Sequence, residues 1–423
     1  MSYQQSKVVE KISWLSLPTA CDFCAQCDGK TISITENFFN IGDELSVGEG
    51  ENQQTMRVTF SDVGHPPLHP NCYSKDTEVY TDQGWKYFYE LNGKEKCLSL
   101  NPNSFNLGWQ PIKQIINYQH TGKMHYFHSR SLDILVTPDH AMFVKKRWDQ
   151  RMGRKDKYQF IPAKDLPHEA IIYRSSRWQG EEKEYIKTGN LTLPIEAYCR
   201  LMGYYLSEGC VNRRKKLCYQ ICISQHQQEK LSQMHSDLSW LPLRISKAKS
   251  ALYIFHIDLG RYLEQFGKSH ERYVPEDIKR LSPRLIDIFL DAYCLGDGSI
   301  DEGKLWKGGK FKDSRIFFTS SPKLAEDIGE LILKMGKRPS FYKLKTKGKI
   351  CHFRNGDYKI NHDIWRITEC HRSASQNFKR DIIDYNDPVY CVELPEWHTL
   401  WVRRNGKTAW CGNCMCTIVA ETE

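Results

Sequence analysis

The sequence predicts a mixed fold in several parts. Small acidic segments lie at both ends, and a large basic insertion between them contains an α+β unit made of two similar halves. Three observations predict it. Charge is segregated: residues 1–71 and 414–423 hold four Lys/Arg against eleven Asp/Glu, which leaves 56 against 40 in 72–413, a balance of +16 in a chain of net charge +9. Two stretches, LMGYYLSEGCVN (201–212) and FLDAYCLGDGSI (289–300), resemble each other. The insertion opens with Cys72 directly after Asn71 and closes with Asn413 directly before Cys414.

The length of 423 residues suits two or three domains. A content of 40% hydrophobic and 26% charged residues is that of an ordinary globular chain. No apolar run reaches membrane-spanning length, so no membrane partner is expected. Lys7, Glu10 and Lys11 break any signal-peptide core, so the expected location is the cytoplasm. There the 16 cysteines would be reduced thiols rather than structural disulfides. The +16 region suits a nucleic-acid partner, because phosphate neutralisation dominates such binding; a basic but inert surface is the alternative.

The junction residues permit a definite reaction series. The Cys72 thiol can attack the Asn71 carbonyl and turn a peptide bond into a thioester. The Cys414 thiol can take over that acyl group, and Asn413 can cyclise and cut itself from Cys414. A sulfur-to-nitrogen shift then leaves a new peptide bond. Thiols suit both transfers because sulfur is nucleophilic near neutral pH. Gly412 leaves the backbone before Asn413 free to bend.

On these residues the insertion resembles an intein, a self-splicing protein insert. CYSKDTEVYTDQGWKYFYEL (72–91) resembles the opening of an intein splicing domain, and LDILVTPDHAMFV (132–144) resembles its Thr-x-x-His element, here Thr137 and His140. VYCVELPEWHTLWVRRNGKTAWCGN (389–413) resembles its two closing strands. The resemblance implies an all-β, horseshoe-shaped Hint splicing domain in two parts, 72–165 and 385–413, that needs no cofactor. It implies that Cys72, Asn413 and Cys414 carry the reaction. His140 is suited to protonate the departing nitrogen of Cys72, since imidazole titrates near neutral pH. Thr137 is expected to hydrogen-bond the Asn71–Cys72 peptide and its oxyanion. His398 either assists Asn413 and Cys414 or is a structural residue of the closing strands. Two positions depart from the family pattern. Gly412 stands where a His usually precedes the terminal Asn, so cyclisation would depend on His398 or on backbone donors. Cys391 stands where many members carry Asp, and either tunes the thiols or fills a strand position.

Within the insertion, each of the two similar stretches is an apolar helical run with small residues that ends in an acid followed by Gly. The acids are Glu208 and Asp297. ICISQHQQEKLSQM and IFFTSSPKLAEDI both read as strand, polar cap, helix, with Ser321 before Pro322 a helix start. Gly203, Ala292 and Gly296 would let the two helices pack backbone to backbone and bring the acids together. Two close carboxylates repel each other and suit a divalent metal, as in-line phosphodiester hydrolysis requires. The pattern resembles the LAGLIDADG homing endonucleases. It implies two pseudo-symmetric αββαββα-like repeats over 190–375, Mg²⁺ on Glu208 and Asp297, a catalytic lysine at Lys268, and double-stranded DNA of the uninterrupted host gene as substrate.

Joining 1–71 to 414–423 gives an 81-residue host, and the released insert would have 342 residues. Cys21, Cys24, Cys414 and Cys416 are candidate ligands of a structural zinc, with Cys27, His65 and His69 nearby; plain thiols are the alternative. The joined HPPLHPNCMC resembles the tail of phage head-morphogenesis (minor capsid) proteins, which implies a host assembled in a capsid and carried in the virion. The competing view is a zinc-binding phage structural protein with an inactive insert.

Overall fold

The computed structural model describes residues 10–16, 22–48, 54–58, 62–64, 72–146, 157–215, 218–303, 305–306, 309–310, 313–345, 347–353, 356–371, 374–375, 377–413 and 417–421. Its contacts divide the chain into two compact units, Met1–Arg174 with Ala374–Glu423, and Ser175–Ser373. The second unit thus starts earlier than the expected residue 190. No helix among the described residues is long and apolar enough to cross a membrane.

The first unit holds two separate hydrophobic cores. In the smaller one, Ile12, Trp14, Phe23, Cys24, Cys27, Phe38 and Phe39 pack together, with Phe38 edge-on to Trp14 at 5.1 Å between ring centres. Beside this core the two ends of the chain share one antiparallel sheet. Lys11–Leu15 pairs on one side with Thr31–Ser33 and on the other with Thr417–Glu421, in a register running from Lys11↔Glu421 to Leu15↔Thr417. Segments separated by the whole insertion therefore form one sheet in the uncut chain.

The larger core belongs to an all-β body whose only helical turns among the described residues are the 3₁₀ segments Phe88–Glu90 and Ala163–Asp165. Its spine is a pair of 15-residue strands, Gln114–His128 and Lys379–Glu393, antiparallel in unbroken register from Gln114↔Glu393 to His128↔Lys379. The short strand Tyr73–Ser74 lies between Asp133–Val136 and the second long strand, and the four close on themselves. One flanking sheet orders Gln159–Pro162, Ala141–Lys146, Ala170–Tyr173 and Ala374–Ser375. The other runs Lys407–Gly412, Thr399–Arg404, Glu78–Thr81, Lys96–Leu100, Leu107–Pro111. The hairpin that ends at Gly412 turns through Asn405 and Gly406, both at positive φ (49° and 72°), the Asn-Gly chemistry that a two-residue turn demands. Behind that turn, Arg404 and Lys407 surround the buried carboxylate of Asp133.

The second unit repeats one motif. The first copy runs from helix Ile195–Glu208 through strands Gly209–Lys215 and Cys218–Ser224, helix Gln228–Leu238, and strands Ile245–Lys247 and Ala251–Phe255 to helix Ile257–Glu264. The second runs from helix Pro283–Asp297 through Gly298–Asp301, Ser314–Thr319, helix Pro322–Lys334, Arg338–Lys345 and Ile364–Cys370. The four strands named in each copy follow the same order, first, second, fourth, third. The copies differ in that no closing helix follows the second among the described residues. Ser-Pro starts account for two helices: Ser282 and Ser321 accept from the backbone N–H of Leu285 and Leu324, and Pro283 and Pro322 open the first turns. The helices that end in the acids face each other across a very short gap. A Cβ built on Gly203 would lie 2.6 Å from Ala292 Cβ and 2.7 Å from the Phe289 carbonyl oxygen. One built on Gly296 would meet Ser207 Cβ at 2.7 Å. Only glycine permits that approach, and one continuous core forms around it.

Candidate functional site

Two centres result, one in each unit. In the first, Cys72, Tyr73, Thr137, His140 and Asn413 all lie buried in the all-β body. Thr137 grips Cys72 through both its hydroxyl and its backbone. Its hydroxyl accepts from the Cys72 backbone N–H at 3.0 Å, and its own N–H donates to the Cys72 carbonyl at 3.0 Å. The hydroxyl thus holds the nitrogen of the Asn71–Cys72 peptide; Asn71 and its carbonyl are outside the described residues, as is Cys414. His140 follows on the same turn, its N–H bonded to the Thr137 carbonyl at 3.1 Å, and its ring lies edge-on to Tyr73 at 4.3 Å between centres.

Asn413 reaches the same place from the other end of the insertion. The Tyr73 hydroxyl donates to the Gly412 carbonyl at 2.6 Å, across 339 positions of sequence. The Asn413 backbone N–H donates to the His398 carbonyl at 3.1 Å. His398 sits at φ 53° where the chain enters strand Thr399–Arg404, half-buried. The segment from Thr137 to Ala141 therefore touches both ends: Thr137 holds Cys72, and the Ala141 carbonyl abuts Gly412.

Three further thiols line this core. Burial pushes the Cys97 thiol up to about 12, and likewise Cys411, which a hydrogen bond from Tyr73 partly offsets. At those values neither supplies a thiolate at neutral pH. Cys391 is fully buried opposite Ile116, its thiol directed at the Val392 carbonyl at 3.5 Å.

In the second unit, Glu208 and Asp297 end the paired helices side by side. Burial raises the pKa of Glu208. Burial, then the charge of Glu208, raises Asp297 to about 6, although part of its side chain stays exposed. The cations that oppose both shifts are Lys230 and Arg272. Arg272 is buried, and its guanidinium donates to the carbonyls of Leu206 (2.8 Å), Ser207 (3.0 Å) and Gly209 at the end of the first helix. It caps the orphan carbonyls of that helix and fixes where Glu208 stands. Lys268 is exposed four residues earlier in the same loop, where its backbone N–H bonds Glu271. Sequence reasoning named Lys268 and missed Arg272, Lys230 and Tyr73.

Among the described residues no group of three or more His, Cys, Asp or Glu is arranged to hold a metal ion. Glu208 and Asp297 stand as a pair, with no third such side chain grouped with them among the described residues. Of the zinc candidates, Cys21, Cys414 and Cys416 lie outside the described residues, and so do His65 and His69. Cys24 and Cys27 are buried with Trp14 and Phe23 as core thiols, with Cys27 bonded to the Phe23 carbonyl at 3.2 Å.

No family model matches the chain. Among curated proteins it is 25% identical over 453 residues to the C-terminal section of the DNA-directed RNA polymerase subunit beta of Stigeoclonium helveticum, covering 95% of this chain and 40% of that protein. It is 20% identical over 377 residues to the ATP-dependent Clp protease proteolytic subunit of Chlamydomonas moewusii, covering 80% and 36%. It is 26% identical over 218 residues to the replicative DNA helicase DnaB of a Nostoc strain, covering 43% and 24%. The chain spans well under half the length of each. Among solved structures, mesophilic variants of the homing endonuclease I-DmoI align at TM-score 0.27 and 13% identity, over 41% of this chain and 88% of theirs. An intein-like domain from Clostridium thermocellum aligns at TM-score 0.20 and 16% identity, over 24% and 66%.

Proposed function

We propose that this chain is a precursor that excises its own middle, joins its ends, and releases an insert that cuts double-stranded DNA. The observation that carries the splicing half is convergence: Cys72 and Asn413, the first and last residues of the insertion, are buried around one Thr137–Ala141 segment. Cys72 attacks the Asn71 carbonyl carbon while the peptide nitrogen, gripped by Thr137, takes a proton, a role this reading gives to His140 three residues on. The acyl group passes to Cys414. The Asn413 side-chain nitrogen then bonds to its own backbone carbonyl carbon and loses a proton, the bond to the Cys414 nitrogen breaks, and that nitrogen is protonated. His398 borders this last step through its carbonyl. Three relatives named for unrelated activities share only a fraction of their length with this chain, as an insert carried by different hosts would produce, and this supports the reading.

The insert is read as a LAGLIDADG-type endonuclease. Glu208 and Asp297 fit a divalent cation because each raises the cost of ionising the other, a cost that a bound charge relieves. Mg²⁺ held there would activate water and polarise phosphate, with DNA oxygens completing its shell. The chain's own part is to hold the two acids together through the Gly203–Ala292 contact and the Arg272 cap, and to offer a basic surface to the phosphates. The host is read as a head-morphogenesis-type protein on its HPPLHPNCMC tail, cytoplasmic before assembly. A second reading, an unspliced host that carries the insert as a passenger, draws on the sheet that both ends already share.

The test is expression in bacteria and mass spectrometry under reducing conditions. The 81-residue joined product with a 342-residue insert is expected; the intact chain alone after long incubation sinks the splicing reading and leaves the passenger reading.

A further inference from the structure

We propose that Tyr73 positions the Gly412–Asn413 peptide for cleavage after Asn413, at the place where a histidine side chain from residue 412 has no room. The inference rests on the splicing reading and deepens it. Three observations carry it.

The first is space. A Cβ on residue 412 would lie 2.5 Å from the Ala141 carbonyl oxygen, 2.8 Å from Ala141 Cβ and 3.1 Å from Phe160 Cδ1. The closest of these is backbone and cannot swing away. Glycine at 412 is therefore a packing requirement of this body, and a histidine there would displace the strand instead of reaching the asparagine.

The second is the clamp that takes its place. Glycine leaves its own φ and ψ loosely restrained, yet both polar atoms of the peptide after it are held. The Tyr73 hydroxyl donates to the Gly412 carbonyl at 2.6 Å, and the Asn413 N–H donates to the His398 carbonyl at 3.1 Å. Tyr73 is itself immobile: it is fully buried, stacked on Phe88 at 5.1 Å and 14°, and edge-on to His140. With that peptide fixed, the Asn413 Cα has a set place. Cyclisation then needs only rotations about ψ and the side-chain torsions, and positioning of this kind contributes rate directly.

The third is the asparagine side chain. It is fully buried, and neither its oxygen nor its nitrogen has a hydrogen-bond partner among the described residues. A buried amide left in that state is unusual. Its nitrogen is not engaged elsewhere, which is the condition for bonding to its own carbonyl carbon.

Tyr73 is a positioning residue in this account, since it touches the neighbouring peptide and not the reacting atoms. The experiment reads the two junctions of the full-length chain separately. Thiol-induced release of residues 1–71 reports the Cys72 step, and release after Asn413 reports cyclisation. Tyr73→Phe keeps the ring and removes the hydroxyl that touches the Gly412 carbonyl and Cys411; it should leave thiol release within about twofold of the parent and slow release after Asn413 on the order of tenfold, the loss expected for the carbonyl hydrogen bond. Gly412→His should slow release after Asn413 as well. The inference is overturned if Tyr73→Phe releases after Asn413 at the parent rate, if both junctions slow equally, or if Gly412→His speeds the downstream step. A parent chain that cleaves at neither junction overturns the splicing reading itself, and that result is seen before any variant is made.

Discussion

The two centres differ in what restrains their reactive groups. Around Cys72 and Asn413 the side chains of Tyr73, Thr137 and His140 are buried, and restraint comes from backbone hydrogen bonds and from the absence of space at Gly412. Around Glu208 and Asp297 the groups are charged and partly open, and restraint comes from mutual repulsion set against Lys230 and Arg272. A site built on volume tolerates a change of charge poorly and a change of shape not at all. A site built on charge tolerates an isosteric change only if charge is kept.

The largest effects should fall on one centre at a time. Cys72→Ala should eliminate thiol release and joined product while DNA cutting stays within about twofold, because the two centres belong to separate compact units that share no reactive residue. Glu208→Gln should do the reverse, abolishing cutting of host-gene DNA spanning the codons of Asn71 and Cys414 while splicing continues. A single variant that loses both activities would break the comparison. His140→Ala should slow thioester formation on the order of a hundredfold, the contribution of a positioned acid, measured as thiol release in an Asn413→Ala background. Gly203→Ala forces a methyl against Ala292 and should destabilise the second unit by about 1–3 kcal/mol. Faster amide exchange in the helices Ile195–Glu208 and Pro283–Asp297, with unchanged splicing rates, is the readout.

The smallest effect is on pH. Asp297 holds its proton more tightly folded, at about 6, than its ordinary value of 3.8. Its favourable contribution to stability is therefore present below 3.8 and is lost as pH rises through about 6. Mg²⁺ needs the ionised pair, so its affinity should move the other way and fall about fivefold from pH 6 to pH 5. Calorimetric titration of the full chain with Mg²⁺ checks this; a flat profile would mean the carboxylates are not the ligands.

Much of this was legible where one local rule sufficed. Small residues at helical spacing announced the helix pair, an acid before Gly marked each helix end, and Ser321 before Pro322 announced one start, though the same signal at Ser282 was missed. Thr137 and His140 were readable because their spacing is short. Tyr73 was not, since a tyrosine beside a strand reads as core and its partner is a backbone carbonyl 339 positions away. Gly412 looked like a missing histidine because sequence does not reveal that Ala141 occupies the space. Lys268 was named from its place in the family pattern, and Arg272 four residues on was missed because capping a helix end leaves no periodic mark in sequence. The cysteines at 24 and 27 carried metal-like spacing, and both lie buried in the small core; the alternating Lys11–Leu15 gave no hint of its partner.

That partner strand, Thr417–Glu421, has a practical consequence. Two peptides held edge to edge by a five-residue ladder do not part when a covalent link between them is cut. A chain severed at both junctions but never rejoined would keep its flanks together at high effective concentration and would migrate in a native gel as if it were whole. Denaturant before measurement separates a nicked host from a ligated one, and the same ladder keeps a slow ligation from losing its second piece.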